Sequence, residues 1–462
     1  MGIAVSGWPL ASAVARRGQF GIVSGTGIAI SFLQRLQRGD AGHHLRDALA
    51  EFPFPAIAER AMRRFYVEGG RPTDTSIFSC LVPSWPLGAD LAELVVLANY
   101  AEIFLAKRRG QPGLIGLNLL TKIEIVTLPS LYGGLLAGVD AIFMGAGIPR
   151  QIPGVLDALA DGQLATLPLS VLGGAAREMR FDPAEFLQAT PPKLARPLFF
   201  PIVSSETLAN ILVRKSNGRI DGFVVEDHTA GGHNAPPRRA AGSDVTNSRG
   251  EPVWGELDRP SIAAFKKLGL PFYVAGGKAD ASMLRDLQAQ GATGVQVGTP
   301  FAFCRESGIM PKFKAAVLQA ARRGDVQVLS DGVASPTGFP FKVVQLPGTL
   351  SDPAVYATRG RACDFGHLRT AYERPDGTLG WRCPAEREAA YLSKGGLAED
   401  ISRRQCLCAA LCAAVGMGAD GEPCIITAGQ SVGEIGRYAR QGEDSYSAED
   451  VISQILGQTT AA

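Results

Sequence analysis

Surplus charge is almost absent from this chain: 46 Lys and Arg against 44 Asp and Glu leave a formal net charge of +2 over 462 residues. Binding along a nucleic acid or an anionic membrane surface requires a basic footprint. The composition therefore points to a small-molecule partner, with no nucleic acid and no membrane. Long apolar runs are missing too. The longest, Leu91 to Ala106, contains Glu93, Asn99 and Glu102 and is too short and too polar to span a bilayer. The first residues, Met-Gly-Ile-Ala-Val-Ser-Gly, hold neither a basic segment nor a small-residue cleavage site, so a cytoplasmic location is expected. Eight cysteines in a chain of this length do not make a disulfide scaffold. Cys80 and Cys304 stand alone, whereas Cys363, Cys383, Cys406, Cys408, Cys412 and Cys424 all lie in the last quarter.

What is plentiful is aliphatic residue and glycine. With 46% hydrophobic residues the chain can fill a sizeable core, and 55 glycines exceed the roughly 7% background, a sign of tight turns or of backbone approaching a ligand. Eight short apolar runs read as strands buried on both faces: Ile3 to Ser6, Gly21 to Ser24, Leu114 to Leu119, Asp140 to Met144, Leu198 to Val203, Gly222 to Glu226, Phe272 to Ala275 and Gly294 to Val297. Leu164 to Val171 is a ninth candidate. Helical stretches such as Asp90 to Arg108, Ile262 to Leu268 and Ala281 to Gln290 alternate with them, which predicts an α/β fold with a parallel sheet. Residues 39–112 form a helical insertion between the second and third runs. After about residue 310 the rhythm is lost at Pro311, Pro336, Pro340, Pro347 and Pro353. The expected division is thus a barrel over 1–310 and an irregular, helical, Cys-containing region over 311–462.

The loops choose between an open sheet and a closed (β/α)8 TIM barrel. Gly21-Ile-Val-Ser-Gly25-Thr-Gly27 has the wrong spacing for a dinucleotide fingerprint. Ala275-Gly276-Gly277 and Gln296-Val-Gly298-Thr299 instead fall after the last two strands, where barrels bind phosphate, and expose backbone N–H groups to an anion. After the strand ending in Glu226 comes Asp227-His228-Thr229-Ala230-Gly231-Gly232-His233-Asn234, at a carboxyl end where barrels place catalytic groups. Gly231 and Gly232 let backbone pass close to a flat ring, and His233 is the candidate proton acceptor or donor. His228 reads as structural. The segment Ser335 to Lys342, rich in proline and glycine, is expected to fold back over the barrel mouth.

Ala230-Gly231-Gly232-His233, then Tyr273-Val-Ala-Gly276-Gly277, then Gly291-Ala-Thr-Gly-Val-Gln296-Val-Gly298-Thr299-Pro-Phe, taken in that order over roughly residues 1–308, resemble the nitronate monooxygenase (2-nitropropane dioxygenase) group of FMN-dependent TIM barrels. That superfamily also includes flavin-dependent enoyl-acyl-carrier-protein reductases of the PfaD type. The resemblance implies FMN, with its phosphate on Gly276, Gly277, Gly298 and Thr299 and with Gln296 nearby. It implies that Asn118 hydrogen-bonds the flavin, that Gly231 lies beside it and that His233 is the catalytic residue. Gly7 would lie against the isoalloxazine or serve as a plain turn glycine. Glu226 stands where the monooxygenases typically carry Gln, which is closer to the reductases, and Asn-Ala-Pro-Pro follows His233 in place of the usual Arg-Gly.

Three functions follow. The first is oxidation of alkyl nitronates with O2 to carbonyl compounds and nitrite. The second is NAD(P)H-dependent reduction of an enoyl thioester. In the third, the chain is a flavin-binding subunit of a larger synthase complex or a homo-oligomer. Cys363, Cys383, Cys406 and Cys408 add an expected zinc or iron–sulfur site, four thiolates from three segments clipping a loop-rich region. The alternative for them is small buried hydrophobes.

Overall fold

The computed structural model describes residues 2–71, 81–108, 110–238, 246–418 and 421–458. The loop expected at Gly69–Thr75 lies largely outside the described residues. Thirteen strands run in chain order: β1 Gly21–Ser24, β2 Ile115–Leu120, β3 Ala141–Gly145, β4 Ala165–Leu169, β5 Arg177–Phe181, β6 Leu198–Val203, β7 Phe223–Glu226, β8 Phe272–Ala275, β9 Gly294–Gln296, β10 Gln327–Asp331, β11 Phe341–Gln345, β12 Thr370–Glu373 and β13 Leu379–Arg382. Seven of them form one parallel sheet in the order β1-β2-β3-β6-β7-β8-β9. Helices Thr127–Leu136, Ile152–Ala160, Glu206–Lys215, Ile262–Lys266 and Ala281–Ala289 lie in the connections, as parallel neighbours require.

Alternation along the strands explains the curvature. Phe143, Phe200, Val224 and Ala275 pack into an inner cluster with Phe20, Ile22, Ile202 and Tyr273, and the Phe143 and Phe200 rings stack at 5.2 Å. Their sequence neighbours Ile142, Met144, Phe199, Val203, Phe223, Val225, Phe272 and Val274 belong to a second cluster on the helix side. A sheet buried on both faces, with one small aromatic cluster inside, is the arrangement of an α/β barrel.

Seven staves close this sheet's arc, not the eight expected, and the missing one is Ile3 to Ser6. These residues form turns, with Ala4 at φ 52°. A left-handed residue interrupts an extended ladder, so the segment makes only a single backbone hydrogen bond to each of its two sides. The Ser24 N–H donates to the Ser6 carbonyl at 2.8 Å, and the Gly308 N–H donates to the Val5 carbonyl at 2.9 Å. It therefore lies as an irregular plug beside β1 and the chain that follows β9. The ninth candidate run became β4, which pairs antiparallel with β5 outside the main sheet.

The helical insertion follows β1, the first strand of the sheet, and is led by helix Ala89–Lys107. Its polar residues are paired within the fold: Glu102 takes the Trp8 N–H and the Arg35 guanidinium, each at 2.7 Å, and Glu93 takes Arg60. Among the described residues no helix is long and apolar enough to cross a membrane.

Beyond residue 310 the chain is less irregular than its prolines suggest. Helix Pro311–Arg323 begins with proline and ends on Gly324 at φ 73°, placing each where its backbone suits it. Two antiparallel hairpins follow, β10–β11 and β12–β13, and then helices Leu407–Ala414 and Ala448–Ile455. This region packs onto the barrel mouth: Lys342 N–H donates to Gly232 carbonyl at 2.9 Å, and Gln430 N–H donates to Thr229 carbonyl at 3.0 Å.

Candidate functional site

The carboxyl ends of β2, β7, β8 and β9 open into a cavity of about 690 Å3. Of the residues singled out in the sequence, Asn118, Glu226, Gly231, His233, Gly276, Gly277, Gln296, Gly298 and Thr299 all line it. Four motifs from separate strands thus face one space. Gly7 does not line it: this residue precedes helix Trp8–Arg16, and a Cβ there would meet Glu102 Oε2 at 3.3 Å, which makes it a turn glycine. His228 is also outside the wall, stacked on Trp254 at 5.1 Å.

The two glycine loops make a cradle. Gly276 and Gly277 have φ of 96° and 57°, conformations that glycine alone adopts without strain. A Cβ on Gly276 would fall 2.4 Å from Asp227 Oδ1, whereas one on Gly298 would meet nothing within 4 Å. The backbone at Gly298 is therefore open to a ligand. Lys278, unmarked in the sequence reading, adds a cation to the same wall, held 3.3 Å from Asp227 Oδ2. Helix Thr299–Ala302 is a single turn, so its dipole adds little; the loop N–H groups and Lys278 are what an anion would meet.

The deeper wall is polar and under-satisfied. Gln296 Oε1 is buried without a hydrogen-bond partner, Asn118 is 4% exposed, and its amide reaches Phe143 carbonyl only at 3.4 Å. Burial, with the neighbouring Asp227 carboxylate, raises the Glu226 acid to about 7. Unpaired buried amide and carboxyl groups are costly unless a ligand meets them. A phosphate cradle together with the orphaned Gln296 amide oxygen fits FMN.

His233 is set by the far part of the chain. It forms a bridge with Phe341 of β11, its ring lies 4.8 Å from that phenyl, and its Nε2 is 2.7 Å from Ser335 Oγ. The expected fold-back of Ser335 to Lys342 over the mouth is what the backbone does. Burial and then the nearby Lys122 ammonium hold the imidazole well below the ordinary histidine value, so it is neutral at physiological pH. A second strap, residues 427–430, threads between the loops: Gly232 N–H donates to Thr427 Oγ1 at 3.0 Å, Gly429 N–H to Thr299 Oγ1 at 2.8 Å and Gln430 N–H to Thr229 carbonyl at 3.0 Å. This explains Gly231, whose missing Cβ makes room for Gly429 N at 2.8 Å.

His367, also unforeseen, lines the cavity at 6% exposure. Its Nδ1 lies 2.8 Å from the Phe365 carbonyl, and a carbonyl accepts only, so Nδ1 carries the proton. Burial lowers this imidazole to about 4.

Cys363, Cys383, Cys406 and Cys408 do converge: charge on Cys406 is felt at the thiols of the other three. Yet among the described residues no group of three or more His, Cys, Asp or Glu side chains is placed to hold a metal ion. Cys383, Cys406 and Cys408 share an apolar cluster with Ile3, Ile30, Phe365, Ala409 and Cys412, and burial raises all four thiols. Protonated thiols among alkyl groups behave as small hydrophobes.

Neither a protein-family model nor a curated protein matches this sequence. Among solved structures it is similar to FabK from Thermotoga maritima, at 16% identity over 99% of this chain and 90% of that one with a TM-score of 0.42. Nitroalkane oxidase from Streptomyces ansochromogenes gives 16% identity over 99% and 94%, TM-score 0.42. The enoyl reductase domain of MlnA from Bacillus amyloliquefaciens gives 12% over 78% and 84%, TM-score 0.41.

Proposed function

We propose that the chain is an FMN-dependent oxidoreductase that oxidises alkyl nitronates with O2 to carbonyl compounds and nitrite. The observation that carries the flavin reading is the meeting of Gly276, Gly277, Gly298, Thr299, Gln296, Asn118, Glu226 and His233 on one cavity. Gly276 to Lys278 and Gly298 to Thr299 would hold the phosphate, and Asn118, Glu226 and Gln296 the polar ring edge. FMN bound there would supply the electron transfer.

The chain's own residues orient the substrate, exclude water and move protons. Phe341, Leu407 and Ile426 cover the cavity, and apolar cover strengthens each polar contact inside. His233 is a neutral imidazole whose Nε2 is engaged by Ser335, so Nδ1 is the nitrogen left for the substrate. A pre-formed nitronate asks no proton of it; a neutral nitroalkane does.

A second reading, NAD(P)H-dependent reduction of an enoyl thioester, is favoured by Glu226, an acid near 7 on the cavity wall at the position where the sequence departs from the monooxygenases. A third, a flavin-binding subunit of an assembly, would apply to a chain that binds FMN and turns over neither substrate. Oxygen uptake with ethyl nitronate in the absence of NAD(P)H is the test. Uptake with nitrite release supports the first reading, and NADPH oxidation dependent on a crotonyl thioester replaces it with the second.

A further inference from the structure

The imidazole at the cavity is joined to a half-buried lysine by hydroxyls that belong to a different part of the chain. His233 Nε2 lies 2.7 Å from Ser335 Oγ, Ser335 Oγ lies 2.8 Å from Thr337 Oγ1, and Lys122 Nζ donates to Thr337 Oγ1 at 3.3 Å. Ser335 is fully buried. Its loop is fixed by Arg404, whose Nη1 donates to the Ser335 and Val333 carbonyls at 2.6 and 2.9 Å. Lys122 sits just beyond β2, with its ammonium 4.3 Å from the centre of the Phe339 ring. Among the described residues no carboxylate pairs with it.

One direction along the row satisfies every one of these bonds. An ammonium only donates, so Thr337 Oγ1 accepts from Lys122 and its own proton is free for Ser335. Ser335 Oγ also accepts the Thr337 N–H at 3.2 Å, which leaves its proton for His233 Nε2. The imidazole then has its proton on Nδ1. Every donor in the row points toward the cavity.

We infer that Lys122, Thr337, Ser335 and His233 form a proton-delivery chain, with Lys122 as its terminal acid and the two hydroxyls as positioning relays. In one delivery the Nδ1 proton of His233 passes to a carbanionic atom of the substrate and Nε2 takes the proton of Ser335. Ser335 takes that of Thr337, and Thr337 takes one from Lys122. No charged imidazolium forms, one proton leaves Lys122, and water restores it. The reverse order carries a carbon-bound proton outward once Lys122 is neutral. Burial, the only cause acting on it, brings that lysine to about 8, near the working pH, as a reusable donor requires. The groups facing it are Thr337, Phe339 and His233.

The inference rests on the reading that His233 acts on a substrate above a flavin, so its test has one arm that needs neither. In histidine-15N-labelled protein without added cofactor, His233 should show the Nδ1-protonated neutral tautomer. Lys122→Met should raise its titration, because a positive neighbour is removed, while Lys122→Arg should leave it near the native position. In the flavin-loaded enzyme, whichever proton-transferring reaction it catalyses should show an inflexion near pH 8 in its pH–rate profile. The rate falls above that pH for delivery and rises for removal. Lys122→Arg, charged but unable to give up its proton, should abolish that inflexion and slow the reaction at least tenfold. Ser335→Ala should slow it similarly without changing the FMN dissociation constant. An Nε2-protonated His233, a titration unmoved by Lys122→Met, or an unchanged inflexion in Lys122→Arg would overturn the chain. Failure to bind FMN would overturn the function and leave the labelled-histidine result standing.

Discussion

The barrel mouth and the layer that covers it from beyond residue 310 differ in how they make a site. Mouth residues come from short loops at strand ends, so each motif is local and the sheet brings the motifs together. The covering layer works through contacts between distant segments: Ser335 on His233, Thr427 on Gly232, Gly429 on Thr299. The mouth supplies chemical groups, and the layer fixes their orientation and shuts out water. Disrupting the first should abolish ligand binding, while disrupting the second should weaken or misdirect it.

The largest effect expected is at the cradle. Gly276→Val places a Cβ 2.4 Å from Asp227 Oδ1 at φ 96°, a clash combined with a strained backbone costing about 3 kcal/mol. FMN affinity should fall by about a hundredfold, read by fluorescence titration of the apoprotein. Next is the strap. Gly429→Val would put a Cβ 2.7 Å from the Thr229 carbonyl oxygen and 3.2 Å from Gly231 N. Flavin release should quicken by about tenfold, with a loss of about 1–3 kcal/mol in stability, both measured on the same preparation by stopped-flow release and denaturant unfolding.

A smaller effect separates ionisation from packing. Glu226 has its acid raised from 4.5 to about 7, so between those values the folded chain binds more protons than the unfolded one. Stability therefore falls as pH rises from about 4.5 through 7. Glu226→Gln should remove that slope, raising stability at pH 8 relative to the native chain by about 1–2 kcal/mol; urea midpoints at pH 5 and pH 8 would show it. The smallest effect belongs to the covering layer's thiols. Cys408→Ala should cost about 1 kcal/mol, and the native Cys408, buried and protonated, should react with a thiol reagent only on unfolding.

Much of the barrel was legible because strand burial on two faces leaves continuous apolar runs, and seven of the eight runs are strands within one residue at each end. Ile3 to Ser6 looked the same but bends at Ala4, where a left-handed turn competes with the ladder. The hairpins β10–β11 and β12–β13 were hidden among prolines and glycines that mark their ends. The glycine loops and His233 stood out in the sequence by their place at strand ends and by the family resemblance, and the fold brings them to one cavity. Lys122, Ser335, Thr337 and His367 were not, because each acquires its role from partners that the fold brings from far along the chain. For the four late cysteines the sequence left two readings, a metal site or small buried hydrophobes, and three of them, Cys383, Cys406 and Cys408, pack in an apolar cluster.

The central claim is that the glycine loops after β8 and β9 anchor a flavin phosphate beneath His233. Its most direct test is the absorption spectrum and stoichiometry of the purified chain titrated with riboflavin 5′-phosphate. The account predicts one equivalent bound, with a yellow chromophore whose affinity collapses in Gly276→Val. A colourless protein that takes up no flavin at saturating concentration would contradict it.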